Sequence, residues 1–566
     1  MYFKSIKIKG YKGFVDSGEI PLCVPDGKTL GSGLNIFVGE NGSGKTALLK
    51  AISLLSINSF TGQNRISSSD FNNKNQTGSI EVIGTLSEHI KYPMPEPWKK
   101  ELDIKEFRIA IKHRDRKAPG KLLSPMFTVS NILEPISRTM PATKTKEQWE
   151  LTDYYLGFDS DRLGDDGLNI FFFDSSRNKH AKKGYSTTFS RVMNDLNWKF
   201  LKDANQPDIL TKWKTYYKDV VSEKLGSEIK DLFKERFHRD DLINIELELL
   251  NLKEPFSEAF FALVNDINLT QIPLEDLGSG IELLFSILFL RQIANQSKGT
   301  IIYCIDEPEL SLHPQWQKSF FEILIEESKT KQVFIATHSL HFIDPIILGA
   351  VKRFYIKDEM VKYASLDDAQ VSDFELRRLF SLENREIFFS RGIALVEGIQ
   401  DRYRLRLFLK SGNKDLFVIN GLSNLERVKK LCDKLAINFK AIVDLDFLSQ
   451  YPDLLPSLTD DEKAKVDEVK VIEGMIANQT DEKVKKILMG CKADIFNPDK
   501  QRCLCSKIRT KMASDKAYKD KVNKKISELV QNNIFVLSNG MMEDYLDKDG
   551  NPLSKKLGDE LEGILK

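Results

Sequence analysis

Eight consecutive residues, Gly39-Glu40-Asn41-Gly42-Ser43-Gly44-Lys45-Thr46, restrict what this chain can fold into more than any other feature. They follow a short apolar run, Leu34 to Val38, and lead into helical spacing from Thr46 to Leu55. That places them in the turn between a buried strand and a helix, the context in which a Gly-x4-Gly-Lys-Thr segment becomes a phosphate-binding loop. The glycines let backbone N–H groups turn inward around phosphate oxygens, and the helix N-terminus adds its dipole. Lys45 is expected to reach the β- and γ-phosphates of ATP and Thr46 to ligate Mg²⁺. Asn41, Gly42, Ser43, Gly44, Lys45 and Thr46 are therefore the expected nucleotide-binding residues.

A strand that ends in acid completes such a site. Thr300 to Ile305 is a continuous run of apolar and β-branched residues, as in a strand buried on both faces, and it delivers Asp306 and Glu307 at its carboxyl end. Asp306 is expected beside the Mg²⁺, and Glu307 is expected to orient or deprotonate the attacking water. A second buried strand, Gln332 to Ala336, runs into Thr337-His338-Ser339, where His338 is placed to sense the γ-phosphate.

The remaining composition removes alternatives. Over 566 residues, 41% are hydrophobic and 29% charged, a globular balance rather than a disordered or fibrous one. Lys+Arg number 83 against 82 Asp+Glu, a net charge of +1, so a globally basic nucleic-acid coat is not indicated. No apolar run reaches the roughly 20 residues of a membrane span. The six cysteines are scattered and fit a reducing cytoplasm; Cys491, Cys503 and Cys505 lack the spacing of a zinc site. No solenoid-length repeat is present. At roughly 150 residues per domain the length suits two to four domains. The first is expected over 1–385, with a mainly helical insertion at about 119–270 that includes aromatics at helical spacing from Trp198 to Tyr217 and offers a dimerisation region. The second is expected over 386–566. Strands alternating with helices predict α/β architecture with parallel sheets in both.

The second unit gathers acid at strand ends. Gly392 to Val396 is followed by Glu397, a Gly turn and Asp401 in the first turn of a helix. Phe439 to Val443 ends in Asp444-Leu445-Asp446, two carboxylates two positions apart and so on one side of an extended chain. Asn533 to Ser538 runs towards Glu543 at a helix start. Desolvated carboxylates repel one another, and a hard divalent cation with oxygen ligands resolves the conflict. Nine Lys and Arg residues from Arg502 to Lys525 make a basic stretch that either faces solvent or neutralises phosphates.

Both halves carry a resemblance. Asp306-Glu307-Pro308, the following Leu312-His313-Pro314, and Thr337-His338-Ser339 resemble the ABC-type ATPases of the recombination-factor and chromosome-maintenance group. In that group a signature loop precedes the acidic strand, and Leu277-Gly278-Ser279-Gly280-Ile281-Glu282 occupies its place, with the serine one position late. The resemblance implies that Ser279 and Gly280 contact ATP bound to a second copy, hence a homodimer or higher homo-oligomer. The gap between Lys45 and Asp306 lacks sustained heptads, which argues against a long coiled-coil arm. Asp70 is a candidate for the group's remaining metal-touching loop. Glu397, Asp444 and Asp446 resemble the acidic motifs of the Toprim domain, and Asp401 and Glu543 those of its nuclease branch. An ABC-type P-loop ATPase followed by a Toprim unit resembles the OLD family, named for overcoming lysogenization defect. That implies an ATP-regulated DNA endonuclease using Mg²⁺, or Mn²⁺, in bacterial anti-phage defence, with Glu307, His338, Glu397, Asp401, Asp444, Asp446 and Glu543 catalytic. Thr46, Asp306, Glu397, Asp401, Asp444, Asp446 and Glu543 would be the metal ligands. Lys548, Lys555 and Lys556 all fit the catalytic lysine that the resemblance implies. Relatives occur with an accessory helicase, retron nucleic acid or a phage-derived trigger. The competing reading is an ATP-driven DNA clamp or sensor whose acidic site is idle.

Overall fold

In a computed structural model the chain divides into two compact units, Met1–Val371 and Ser372–Lys566. The structure describes mainly residues 2–55, 70–72, 79–93, 101–112, 168–173, 300–310, 312–366, 368–409, 415–454 and 498–565, with short strands and isolated helical residues elsewhere. Among the described residues no helix is long and apolar enough to cross a membrane.

The first unit is built on two sheets. An antiparallel sheet runs in the order β2 (Phe14–Pro21), β1 (Phe3–Tyr11), β4 (Ser79–Pro93), β5 (Glu101–Lys112), β6 (Met126–Thr128). The six-stranded sheet that carries the phosphate-binding loop runs β16 (Met360–Ser365), β15 (Val351–Lys357), β3 (Leu34–Gly39), β14 (Gln332–Ala336), β13 (Thr300–Asp306), β9 (Leu168–Phe173). All its pairs are parallel except β15 with β16. Helix α1 (Lys45–Leu54) packs between the sheets, its Leu48, Leu49 and Ile52 joining Ile8, Ile80, Ile302 and Phe334 in one core. Each such buried side chain contributes about 1.5–3 kcal/mol, so this helix is anchored by its apolar face rather than by its intrinsic propensity. Helix α2 (Pro314–Glu327) follows β13; His313 caps it, Nδ1 accepting from the Gln315 N–H.

The region expected to be mainly helical is corrected in its described part. Besides β6 and β9 it contributes a hairpin, β7 (Ile136–Thr139) with β8 (Gln148–Leu151), and β10 (Leu242–Glu248) and β11 (Phe260–Asn265), which pair with β12 (Gln271–Pro273). Arg236, helical among the described residues there, bridges Glu322 and Glu326 of α2 at 2.8 and 3.1 Å. Strand β9, Leu-Asn-Ile-Phe-Phe-Phe, buries Ile170 to Phe173 against β13, so this stretch supplies the edge of the main sheet. Continuous apolar sequence with no polar face suits such a strand better than an amphipathic helix. The Trp198–Tyr217 segment lies outside the described residues.

The second unit has one parallel sheet, ordered β18 (Asp415–Val418), β17 (Gly392–Val396), β19 (Asn438–Val443), β20 (Ile534–Val536). Helix α3 (Ile399–Leu409) follows β17 and α4 (Leu425–Lys434) follows β18. A pair, α5 (Pro498–Ser514) and α6 (Lys516–Gln531), precedes β20, and α7 (Lys555–Leu565) closes the chain. Val396, Leu405, Ile442, Leu537, Tyr545 and Leu561 form its core. The division at 371/372 falls earlier than the expected 385/386. The residues in between belong to the second unit: Phe380 stacks on Phe388 and meets Phe417 edge-on, and the Asn384 amide bonds the Leu379 and Val418 carbonyls.

Candidate functional site

The phosphate-binding loop leaves β3 at Gly39, where φ is 133° and an added Cβ would lie 2.0 Å from the Phe354 carbonyl oxygen. Gly44, φ 96°, is the N-cap of α1, and a Cβ there would press on Val361 and Phe14. Only glycine fits these positions, because the loop must hug β15 and turn left-handed before the helix starts. Lys45 is buried, its ammonium donating to the carbonyls of Gly39 and Glu40 at 2.9 and 2.8 Å. Burial lowers its pKa to about 8, opposed by Glu307, Asp306, Glu309 and Glu40. The Ser43 hydroxyl is buried with no hydrogen-bond partner among the described residues. A buried ammonium and an orphaned hydroxyl in one loop suit a triphosphate, which accepts from both.

Thr46 Oγ1 donates to Asp306 Oδ1 at 2.9 Å, bringing the two predicted Mg²⁺ ligands together from α1 and β13. Glu307 follows in a left-handed conformation, φ 46°, and its N–H bonds the Ala336 carbonyl at 2.8 Å. Such a conformation is strained for a residue with a side chain and persists where the surroundings over-determine it. His338 Nε2 lies 3.8 Å from Glu307 Oε1. Burial, then the charge of Lys45, lowers the His338 pKa to about 4, so its imidazole is neutral near pH 7. Glu309 ties this end of the sheet together, accepting from Thr337 Oγ1 at 2.8 Å and from the His338 N–H; burial raises its pKa. Sequence reasoning gave Glu309 no role, although its position three residues after Asp306, beside the Thr-His pair of the next strand, is the available signal. Ser279 lies outside the described residues, and Gly280 is buried in a helical stretch. Asp70 pairs with Lys12 at 3.6 Å.

In the second unit, Glu397, Asp401, Asp444, Asp446 and Glu543 all sit just past the carboxyl ends of β17, β19 and β20. Asp401, in the first turn of α3, accepts from the Gly398 N–H at 2.9 Å. Asp444 accepts from the Met542 N–H at 3.1 Å, and the Leu445 N–H bonds the Gly540 carbonyl at 2.9 Å, so the ends of β19 and β20 are laced together. Asp446 does not lie on an extended chain as the spacing suggested. It sits in a 3-10 turn, Leu445–Gln450, buried, with Oδ1 lacking any partner among the described residues. Burial raises the pKa values of Glu397, Asp401, Asp444 and Asp446. Glu397 goes to about 7 with added push from Asp446 and Asp401, and Asp401 to about 6. Asp444 goes to about 9 under Asp401, Asp446, Glu397 and Glu543, and Asp446 is raised as well. These are carboxylates held close enough to repel.

Glu543 lies in a 3-10 turn, Met542–Asp544, rather than at a helix start, and Arg404 Nη1 stands 3.1 Å from its Oε1. That nitrogen makes no aligned hydrogen bond, so the contact is an ion pair without a directed N–H. Sequence reasoning missed Arg404, though it falls three residues after Asp401 on one face of α3. Lys548, Lys555 and Lys556 are exposed. The acidic set and the orphaned Asp446 oxygen suit a hard divalent cation, although no three His, Cys, Asp or Glu side chains among the described residues already group tightly enough to hold one.

Comparison with known proteins agrees with this division. A family described as AAA ATPase domain matches residues 1–343, and one described as Overcoming lysogenization defect protein-like, TOPRIM domain, matches residues 388–446. The chain is similar to the OLD nuclease of Thermus scotoductus, 26% identical over 479 residues, covering 78% of this chain and 82% of the relative. It is also similar to Endonuclease GajA of Bacillus cereus, 21% identical over 421 residues, covering 71% of this chain and 66% of the relative. Among solved structures, an Smc head bound to the C-winged helix domain of ScpA aligns with a TM-score of 0.38 and 16% identity, over 65% of this chain and 99% of that one.

Proposed function

Since the chain belongs to the AAA ATPase domain family and carries an OLD-like Toprim domain, we propose that it is an ATP-regulated, divalent-metal-dependent DNA endonuclease of bacterial anti-phage defence. The observation that carries this reading is the meeting of buried, mutually repelling carboxylates from three strand ends, one oxygen of which has no partner. Two relatives with nuclease names support it.

In the ATPase unit, Lys45 and the loop glycines hold the phosphates of ATP, with Thr46 and Asp306 ligating Mg²⁺. Glu307 orients the attacking water and accepts its proton, which its position past β13 suits. Neutral His338 donates a hydrogen bond to the γ-phosphate. Ser279 and Gly280 complete the site of a second copy, making the active form a homodimer or higher homo-oligomer.

In the Toprim unit, Glu397, Asp401, Asp444 and Asp446 are the groups that would hold Mg²⁺ or Mn²⁺, with Glu543 beside them. Held by these carboxylates, such an ion would supply water activation and charge stabilisation at the phosphodiester. The carboxylates orient it and lose their mutual repulsion to it.

The absence of a ready-made three-ligand group among the described residues favours a second reading, an ATP-driven clamp or sensor with an idle acidic site. Supercoiled and linear DNA incubated with the purified protein and Mg²⁺ or Mn²⁺ decides between them. Nicks or cuts that EDTA abolishes and added Mn²⁺ restores support the nuclease. Intact DNA alongside ATP turnover supports the clamp.

A further inference from the structure

The Thr337-His338-Ser339 segment that leaves β14 is held by a ring of hydrogen bonds that closes on the turn after β13. Glu309, in that turn, accepts from Thr337 Oγ1 at 2.8 Å with one carboxylate oxygen and from the His338 N–H with the other. Thr337 Oγ1 in turn accepts from the Ser339 N–H at 2.9 Å. The Ser339 hydroxyl donates to Gln317 Oε1 of α2 at 2.6 Å, and Gln317 Nε2 donates to the Leu312 carbonyl at 2.9 Å, three residues past Glu309. Thr337, Gln317 and Leu312 are buried. A buried network of this kind is rigid, because breaking one link leaves a desolvated polar group unpaired.

The ring holds the backbone on both sides of the His338 imidazole. The imidazole Nε2 lies 3.8 Å from Glu307 Oε1, beyond hydrogen-bond reach, so that contact does not fix it. Thr337 before it and Ser339 after it are both tied into the ring, and its own N–H is on Glu309. Both carboxylate oxygens of Glu309 face donors of this segment, which suits a group that holds rather than one that takes a proton from water.

The geometry points to Glu309 as a positioning residue for ATP hydrolysis, which clamps the His338 backbone so that the imidazole is aimed at the γ-phosphate, and which acts only through His338. This rests on the ATPase reading above and assigns the group that makes its histidine effective. A misplacement of about 1 Å in a group that contacts the reacting centre costs on the order of 10²-fold in rate.

A double-mutant cycle in ATP hydrolysis at saturating nucleotide tests it. His338→Ala keeps the N–H that Glu309 binds and removes the imidazole; it should lower kcat by about 10²-fold, as for loss of one transition-state hydrogen bond. Glu309→Ala should lower kcat by about 10-fold or more and leave nucleotide affinity within about twofold, because Lys45 keeps its bonds to the loop. In the His338→Ala background, Glu309→Ala should cost no more than about twofold further. A residue that only staples the fold would lose the same factor in both backgrounds. Thr337 reports even if Glu309→Ala does not fold: Thr337→Val removes the hydroxyl at similar volume and should lower kcat by about 10-fold, whereas Thr337→Ser keeps it and should stay within about threefold of wild type. Wild-type kcat in Glu309→Ala, an equal loss in both backgrounds, or Thr337→Ser as slow as Thr337→Val would overturn the proposal and leave the ATPase reading standing. If His338→Ala turns over ATP at the wild-type rate, the role of the histidine falls and this proposal with it. If wild type turns over no ATP, the ATPase reading itself fails.

Discussion

In the first unit a buried ammonium, Lys45, is ringed by Asp306, Glu307 and Glu309 and held by two backbone carbonyls. In the second, Glu397, Asp401, Asp444 and Asp446 are buried carboxylates whose charges act on one another, and Arg404 stands 3.1 Å from Glu543. The nucleotide cradle therefore sets a cation of its own among its carboxylates, and Thr46 and Asp306 are already hydrogen-bonded to one another. The acidic crevice stores an imbalance. A site of the first kind is preorganised before its ligand arrives. A site of the second kind depends on a ligand to relieve it, so its affinity for cations and its stability are coupled.

The sharpest way to break this contrast is to remove one carboxylate of the crevice. Asp444→Ala should lower DNA cleavage by about 10³-fold or more, as expected where metal-assisted displacement supplies several kcal/mol, with ATP turnover within about twofold of wild type. Plasmid nicking at the wild-type rate would place any nuclease elsewhere. Next in size, Glu307→Gln should slow single-turnover ATP hydrolysis by about 10²-fold or more while nucleotide affinity holds, because only the proton acceptor is lost. Equal turnover in that variant would remove Glu307 from the role. Lys45→Ala should weaken nucleotide binding by roughly 10- to 100-fold, the worth of its charge-assisted bonds, as read by fluorescent-nucleotide titration.

The smallest effect tests the imbalance directly. Asp444, Glu397 and Asp401 have folded-state pKa values of about 9, 7 and 6, above those of unfolded carboxylates. Between the unfolded and folded values the native state binds more protons than the unfolded one. Their contribution to stability is thus present at low pH and lost as pH rises through about 6 to 9. Without divalent ions, unfolding of the Toprim unit should move down by a few °C between pH 5 and pH 9. Asp444→Asn should flatten that dependence, and Mn²⁺ should offset it at the upper end. A melting curve of Asp444→Asn as steep in pH as that of wild type would show that the crevice carries no such imbalance.

The two sites were also unequally legible. The cradle is contiguous in sequence, so glycine spacing, a lysine and a preceding strand sufficed to place Asn41 to Thr46, and Asp306 and His338 followed from the strands that end beside it. The crevice is assembled from residues far apart in sequence, with 98 positions between Asp444 and the Met542 N–H that bonds it, and its strand ends were readable only as separate acidic tips. The approach of Asp446 was misread because alternation along a strand was applied where the chain had already turned. Arg404 was passed over as one of several arginines on a helix whose faces do not differ in apolar content. The helical reading of the middle region failed for its described strands because apolar runs such as Leu168–Phe173 carry no period that separates a buried strand from a buried helix. Phe380 and Asn384 are buried although they stand in a charged stretch, and their packing moves the boundary.

The order of strands in the nucleotide-binding sheet has a consequence for how the protein is made. Strand β3 pairs with β14 and β15, β13 pairs with β9 and β14, and the Phe3 N–H bonds a side chain 329 positions later. A ribosome that has released the phosphate-binding loop must still synthesise nearly all of the first unit before that loop has a sheet to stand on. Until then the apolar strand β3 waits unpaired, the condition in which slow, long-range sheets are exposed to aggregation. The Toprim unit closes over a shorter stretch of chain, yet its last strand, β20, also arrives late. The nucleotide-binding centre therefore cannot form before β15 and β16 have emerged, and the acidic crevice cannot form before β20 and Glu543 have.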